Sequence, residues 1–143
     1  MVGGISAVLN GAPINTFDLD VVHGRASENV RRLLSALDSL DAHYRLHADR
    51  KLRPGLSHLS SPGHSNLTTR FGPLDLLGTI GNNLSLTDLL KHSARMEVSD
   101  GVQVWVLGLA KLIEVKEQLG GEKDKAALPI LKRTLKETSG SQI

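Results

Sequence analysis

Thr16-Phe17-Asp18-Leu19-Asp20-Val21-Val22 is the stretch on which the reading of this chain turns. Apolar and acidic residues alternate and a β-branched pair closes the run, which predicts a strand with Asp18 and Asp20 on one face. A carboxylate in a core-like strand costs on the order of several kcal/mol to desolvate unless it is paired or bound to a metal. Magnesium suits such a pair, because it takes hard oxygen ligands from one or two carboxylates and accepts phosphate oxygens as further ligands.

Working outward, Gly3-Gly4-Ile5-Ser6-Ala7-Val8-Leu9-Asn10-Gly11 predicts a short helix ending at Gly11, and Ala12 to Thr16 a turn. On the other side, Val30, Leu33, Leu34, Leu37 and Leu40 recur at helical spacing after Ser27-Glu28 and predict a helix. Tyr44 to Pro62 shows little period and several breakers, and is expected to be a mobile connection. Asn66 to Phe71 and Gly72 to Leu77 predict two strands about a tight turn, the second carrying Asp75 on the face opposite Leu74 and Leu76. A third acid thus interrupts an apolar strand. Further expected elements are a helix from Thr87 to His92, a strand from Val102 to Val106 and a helix from Leu109 to Leu119 stopped by Gly120-Gly121. A last helix within 122–137 contains Pro129 and presents Leu128, Leu131 and Leu135. The expected class is α+β, a small mixed sheet flanked by helices, with one domain over 1–137 and a flexible tail over 138–143.

Composition narrows the function classes. The 143 residues contain no cysteine, which excludes a disulfide framework, a thiolate zinc site and a cysteine nucleophile, and suits the cytoplasm. Seventeen basic residues against fifteen acidic give a net charge of only +2, and aromatics are 3%. Neither a nonspecific nucleic-acid footprint nor a set of base-stacking platforms is present. No run reaches the roughly 20 apolar residues of a membrane helix. No Gly-x-Ser-x-Gly elbow and no phosphate-binding P-loop occurs.

Gly3-Gly4, Gly11 and Thr16 to Val22, followed by Leu67 to Leu77 and then by Leu112-Ile113 to Lys116 with Lys123-Asp124, together resemble the motifs of the nucleotidyltransferase superfamily, whose core is like that of DNA polymerase β. The C-terminal part is similar to small bacterial members, including the toxin-like AbiEii group. The motifs fall in family order across nearly the whole chain. The family usually carries a helix ahead of the glycine motif, so the expected core lacks that helix.

The resemblance implies that Asp18, Asp20 and Asp75 hold two magnesium ions and that Asp75 helps activate an acceptor hydroxyl. Gly3 and Gly4 would let the backbone approach an NTP triphosphate at a helix start. Lys116 and Lys123 would steady its charge, with Asp124 behind them. The acceptor is a protein hydroxyl, an RNA end or a small molecule. Gly4 stands where many members have serine, and Ile14-Asn15 and Gly121 stand where many small relatives are basic. These departures carry the alternative, a catalytically weakened relative that works as a binding module or as one partner of a toxin–antitoxin pair.

Other residues are read more plainly. His43 and His47 have a helical metal spacing, but with His58 and His64 they are expected to be exposed loop histidines. His23 is expected at a polar strand end, and Trp105 in the core.

Overall fold

The computed structural model describes residues 1–141. It is an α+β fold whose elements run in the order α1 (Gly3–Leu9), β1 (Leu19–Val22), α2 (Ser27–Ser39), β2 (His43–Tyr44), a 3-10 turn (Ala48–Arg50), α3 (Leu56–Leu59), β3 (His64–Thr69), β4 (Gly72–Leu77), α4 (Leu86–Leu90), β5 (Ser93–Ser99), β6 (Val102–Leu107), α5 (Leu109–Leu119) and α6 (Glu122–Gly140). Four strands form one mixed sheet in the order β1-β4-β3-β2, with β1 parallel to β4 and the other pairs antiparallel.

Side-chain alternation along the strands separates two apolar clusters. Val21, Leu74, Leu76 and Leu67 face α2 and pack with Val30, Leu37 and Leu59. Val22 and Leu77 belong to the other cluster, with Ala7 of α1, Leu112 of α5 and Leu131 of α6. Asp20 and Asp75 are two residues before Val22 and Leu77 and share their face. The carboxylates therefore occupy the end of the face that the α5–α6 hairpin leaves open.

The expected hairpin forms with Arg70-Phe71 as its two-residue turn, Thr69 opposite Gly72 and Gly72 at a φ of 125°. Arg70 extends over the exposed Phe71 ring and also donates to the Ser39 carbonyl, which ties the turn to the C-terminal end of α2. Ser85 starts α4 with a reciprocal cap, its hydroxyl accepting from the Asp88 amide while the Asp88 carboxylate accepts from the Ser85 amide. Ser85→Ala is expected to cost about 1 kcal/mol, read from the urea midpoint.

Several expectations need correction. The segment from Tyr44 to Pro62 is not a bare connection. It holds part of β2, the 3-10 turn and α3, because His43 and Tyr44 pair with Thr68 and Leu67 and because Leu59 is fully buried. Those partners are distant in sequence, so no local period announces them. The strand β5 is an addition. Ala94, Met96 and Val98 alternate with polar residues there, and Asp100-Gly101 supplies the turn into β6. Trp105 is 47% exposed rather than core. The ribbon β5–β6 meets the core only at the end of β6, through Val106 and Leu107, and leaves Trp105 beside Arg95 exposed. α6 runs through Thr138, Ser139 and Gly140, three residues of the expected tail, with Pro129 in its interior. Residues 142–143 lie outside the described residues. No helix among the described residues is long and apolar enough to cross a membrane.

Candidate metal centre

β1 and β4 run parallel in a register that sets Asp20 beside Asp75 and Val22 beside Leu77. Asp18 lies two residues upstream of Asp20, just before the strand, where the Thr16 hydroxyl donates to its backbone carbonyl at 3.3 Å. Each aspartate offers one carboxylate oxygen, and these oxygens all lie within 4.8 Å of one another. This is the group of potential metal ligands found among the described residues. All three are partly buried.

The gathering of negative charge is visible in Asp20. Burial, then the charges of Asp18 and Asp75, then a hydrogen bond shared with Asp75 push its pKa from 3.8 to about 6, with Lys116 pulling modestly the other way. A site that raises a carboxylate's pKa in this manner is short of positive charge. Three carboxylates so closely spaced offer hard oxygen donors that could hold a metal ion.

Gly3 owes its identity to the same aspartate. Its φ is 63°, and a Cβ there would sit 2.0 Å from Asp20 Oδ2. Gly4 is packed in a similar way, a Cβ falling 2.7 Å from Thr16 Oγ1. The glycines thus first make room for the ligand strand and the loop leading into it. Ser6 offers no substitute hydroxyl to the cleft, since it is fully buried and donates to the Gly3 carbonyl.

Gly3, Gly4, Asp18 and Asp20 line a cleft of about 690 Å³, which Lys116 from α5 and Lys123 and Asp124 from α6 also line. Lys116 donates to Asp124 at 2.9 Å, so one of the two expected phosphate cations already has an internal partner. All seven residues named from sequence as site residues therefore meet at one place: six line the cleft, and Asp75 joins through the aspartate cluster.

Sequence reasoning missed Arg45. Its Nη2 donates to Asp75 Oδ1 at 2.8 Å and to the Leu67 carbonyl at 2.9 Å. Its signal, a basic residue next to an aromatic in an aperiodic stretch, gains meaning only once β2 is seen to pair with β3. Phe17, 88% exposed at the cleft rim, was likewise noticed only as part of the strand. The histidines stay outside the cluster. His43 interacts with the Asp41 carbonyl, His47 and His58 are exposed, and His64 interacts with the Thr79 carbonyl. His23 is buried rather than placed at a polar strand end, with Nε2 2.7 Å from the Leu59 carbonyl. No protein-family model and no curated protein sequence matches the chain.

Proposed function

We propose that this chain is a magnesium-dependent nucleotidyltransferase, which moves a nucleoside monophosphate from an NTP to a hydroxyl acceptor. One observation carries the reading: three aspartates converge within 4.8 Å, and two of them, Asp18 and Asp20, line a cleft that Lys116 and Lys123 also line. Two ions bound there would supply charge neutralisation of the triphosphate and alignment of its α-phosphorus for in-line attack.

The chain's own residues divide the work. Asp18, just ahead of β1, and Asp20, within it, would hold the ions together with Asp75 on the adjacent strand, and Asp75 would accept the proton of the acceptor hydroxyl. Lys116 and Lys123 line the same cleft and would supply countercharge to the β- and γ-phosphates. Gly3 and Gly4 leave room for the Asp20 and Thr16 side chains, whose atoms occupy the positions a Cβ would take, and so let Asp20 hold its place in the cluster. The acceptor oxygen bonds to the α-phosphorus as the α–β bridging oxygen departs with pyrophosphate.

The pairing of Lys116 with Asp124 favours one second reading, a catalytically weakened relative that binds nucleotide or a partner protein without efficient transfer. Thermal unfolding with Mg2+, with each NTP and with both together separates these from a structural domain. A ligand present at about 100 times its Kd stabilises the native state by about 2.7 kcal/mol. The expected result is a rise in Tm that needs both components for one NTP. No shift for any nucleotide would remove the transferase reading, and a shift without pyrophosphate release on any acceptor would favour the second.

A further inference from the structure

Arg45 lies just past the end of β2, and three interactions fix it across the sheet. Its backbone amide donates to the Asn66 carbonyl at 2.9 Å, and its guanidinium bridges the Leu67 carbonyl and Asp75 Oδ1. The side chain thus crosses β3 to reach β4. It ends on Asp75, one of the three clustered carboxylates, whose side chain is only 14% exposed. Asp18 and Asp20 have no ion pair of this kind among the described residues. Arg45 is itself 41% exposed and forms part of both the main cleft and a neighbouring groove of about 480 Å³ lined by Tyr44, Leu46, His64 and Asn66. The guanidinium therefore has open space beside it and a second acceptor, the Leu67 carbonyl, that does not depend on Asp75.

We propose that Arg45 is an exchangeable internal counter-ion, which occupies the cation position on Asp75 and makes the site load its two divalent ions in order. This rests on the metal-centre reading above. The ion held by Asp18 and Asp20 enters first, because no positive side chain stands on those carboxylates. The ion that needs Asp75 enters second, since it must displace a charge-assisted hydrogen bond at 2.8 Å. Arg45 is a positioning residue in this scheme. It keeps the ligand set compact when the second ion is absent, and it withdraws toward the groove when that ion binds.

Calorimetric titration with Mn2+ alone tests this on the full chain, comparing wild type with Arg45→Gln, Arg45→Lys and Asp20→Asn. The wild type is expected to take one ion well and the second at least about tenfold more weakly. Arg45→Gln, which removes the competing charge, should tighten the second by about tenfold, while Arg45→Lys should keep the gap. Two equivalent ions on the wild type would overturn the inference even if the glutamine variant failed to fold. An unchanged or weakened second ion in Arg45→Gln would overturn it as well. Binding that Asp20→Asn abolishes, combined with either of those results, would leave the metal centre standing and remove only the role of Arg45. No Mn2+ on any protein would remove both.

Discussion

Asp20→Asn is expected to make the metal-free protein more stable at pH 8 while lowering the proposed nucleotide transfer by on the order of a thousandfold or more. The two effects have one cause. In the folded protein Asp20 titrates at about 6, against 3.8 for an unperturbed aspartate, so the native state holds its proton more tightly than the unfolded chain does. The stability this confers is fully present below about pH 4 and is lost as the pH rises through 6. At pH 8 the charged carboxylate is therefore a net cost, reduced by the solvent that reaches the cleft to about 1 kcal/mol. Asparagine removes that cost, together with the negative oxygen a divalent ion requires. Urea unfolding at pH 5 and pH 8 checks the first half: the gain should shrink at the lower pH. Addition of Mg2+ should reverse the ranking, raising the stability of wild type and leaving the variant unmoved. A variant that lost stability at pH 8 without metal would contradict the assignment of Asp20 as an unsatisfied charge.

The second large effect is expected at Gly3. Gly3→Ala meets two penalties, the left-handed φ of 63° and a Cβ placed 2.0 Å from Asp20 Oδ2. The first costs about 1 kcal/mol. The second forces the carboxylate or the start of α1 to move, bringing the expected loss to about 2–3 kcal/mol and displacing a metal ligand. Gly11 is the natural control, with a φ of 92° but nothing near its Cβ position. Gly11→Ala should show the backbone penalty alone and keep Mn2+ binding intact. Equal losses in the two variants, with Mn2+ binding preserved in both, would show that Asp20 adapts and that Gly3 is a conformational requirement only.

Much of the arrangement is legible in the residues. The Leu19-Asp20-Val21 and Leu74-Asp75-Leu76 alternations place two of the acids, since strand period fixes facing, while Asp18 falls one residue ahead of β1. What strand period does not contain is pairing. That β4 lies between β1 and β3, with Asp20 level with Asp75, depends on contacts more than fifty residues apart. The same blindness hid β2, and with it Arg45, whose importance comes wholly from the neighbour that β3 provides. Trp105 failed for a different reason. A run of Val102, Val104 and Val106 reads as a buried strand, yet the ribbon meets the core only where β6 ends, so Val106 and Leu107 are buried while Val102 and Trp105 are exposed.

Asp75 also guards the sheet against its own sequence. Leu74, Leu76 and Leu77 would tolerate either face of β4, and with leucine at 75 the run 74–77 would be apolar on both. A slip of one residue would turn the Asp75 carboxylate into the cluster of Val30, Leu37 and Leu67, with no room for water and no cation to meet it. The misaligned sheet is thereby penalised far more than the native one. A carboxylate that finds Arg45 in the native register and no cation in the slipped one thus serves as the proofreader of the sheet's alignment.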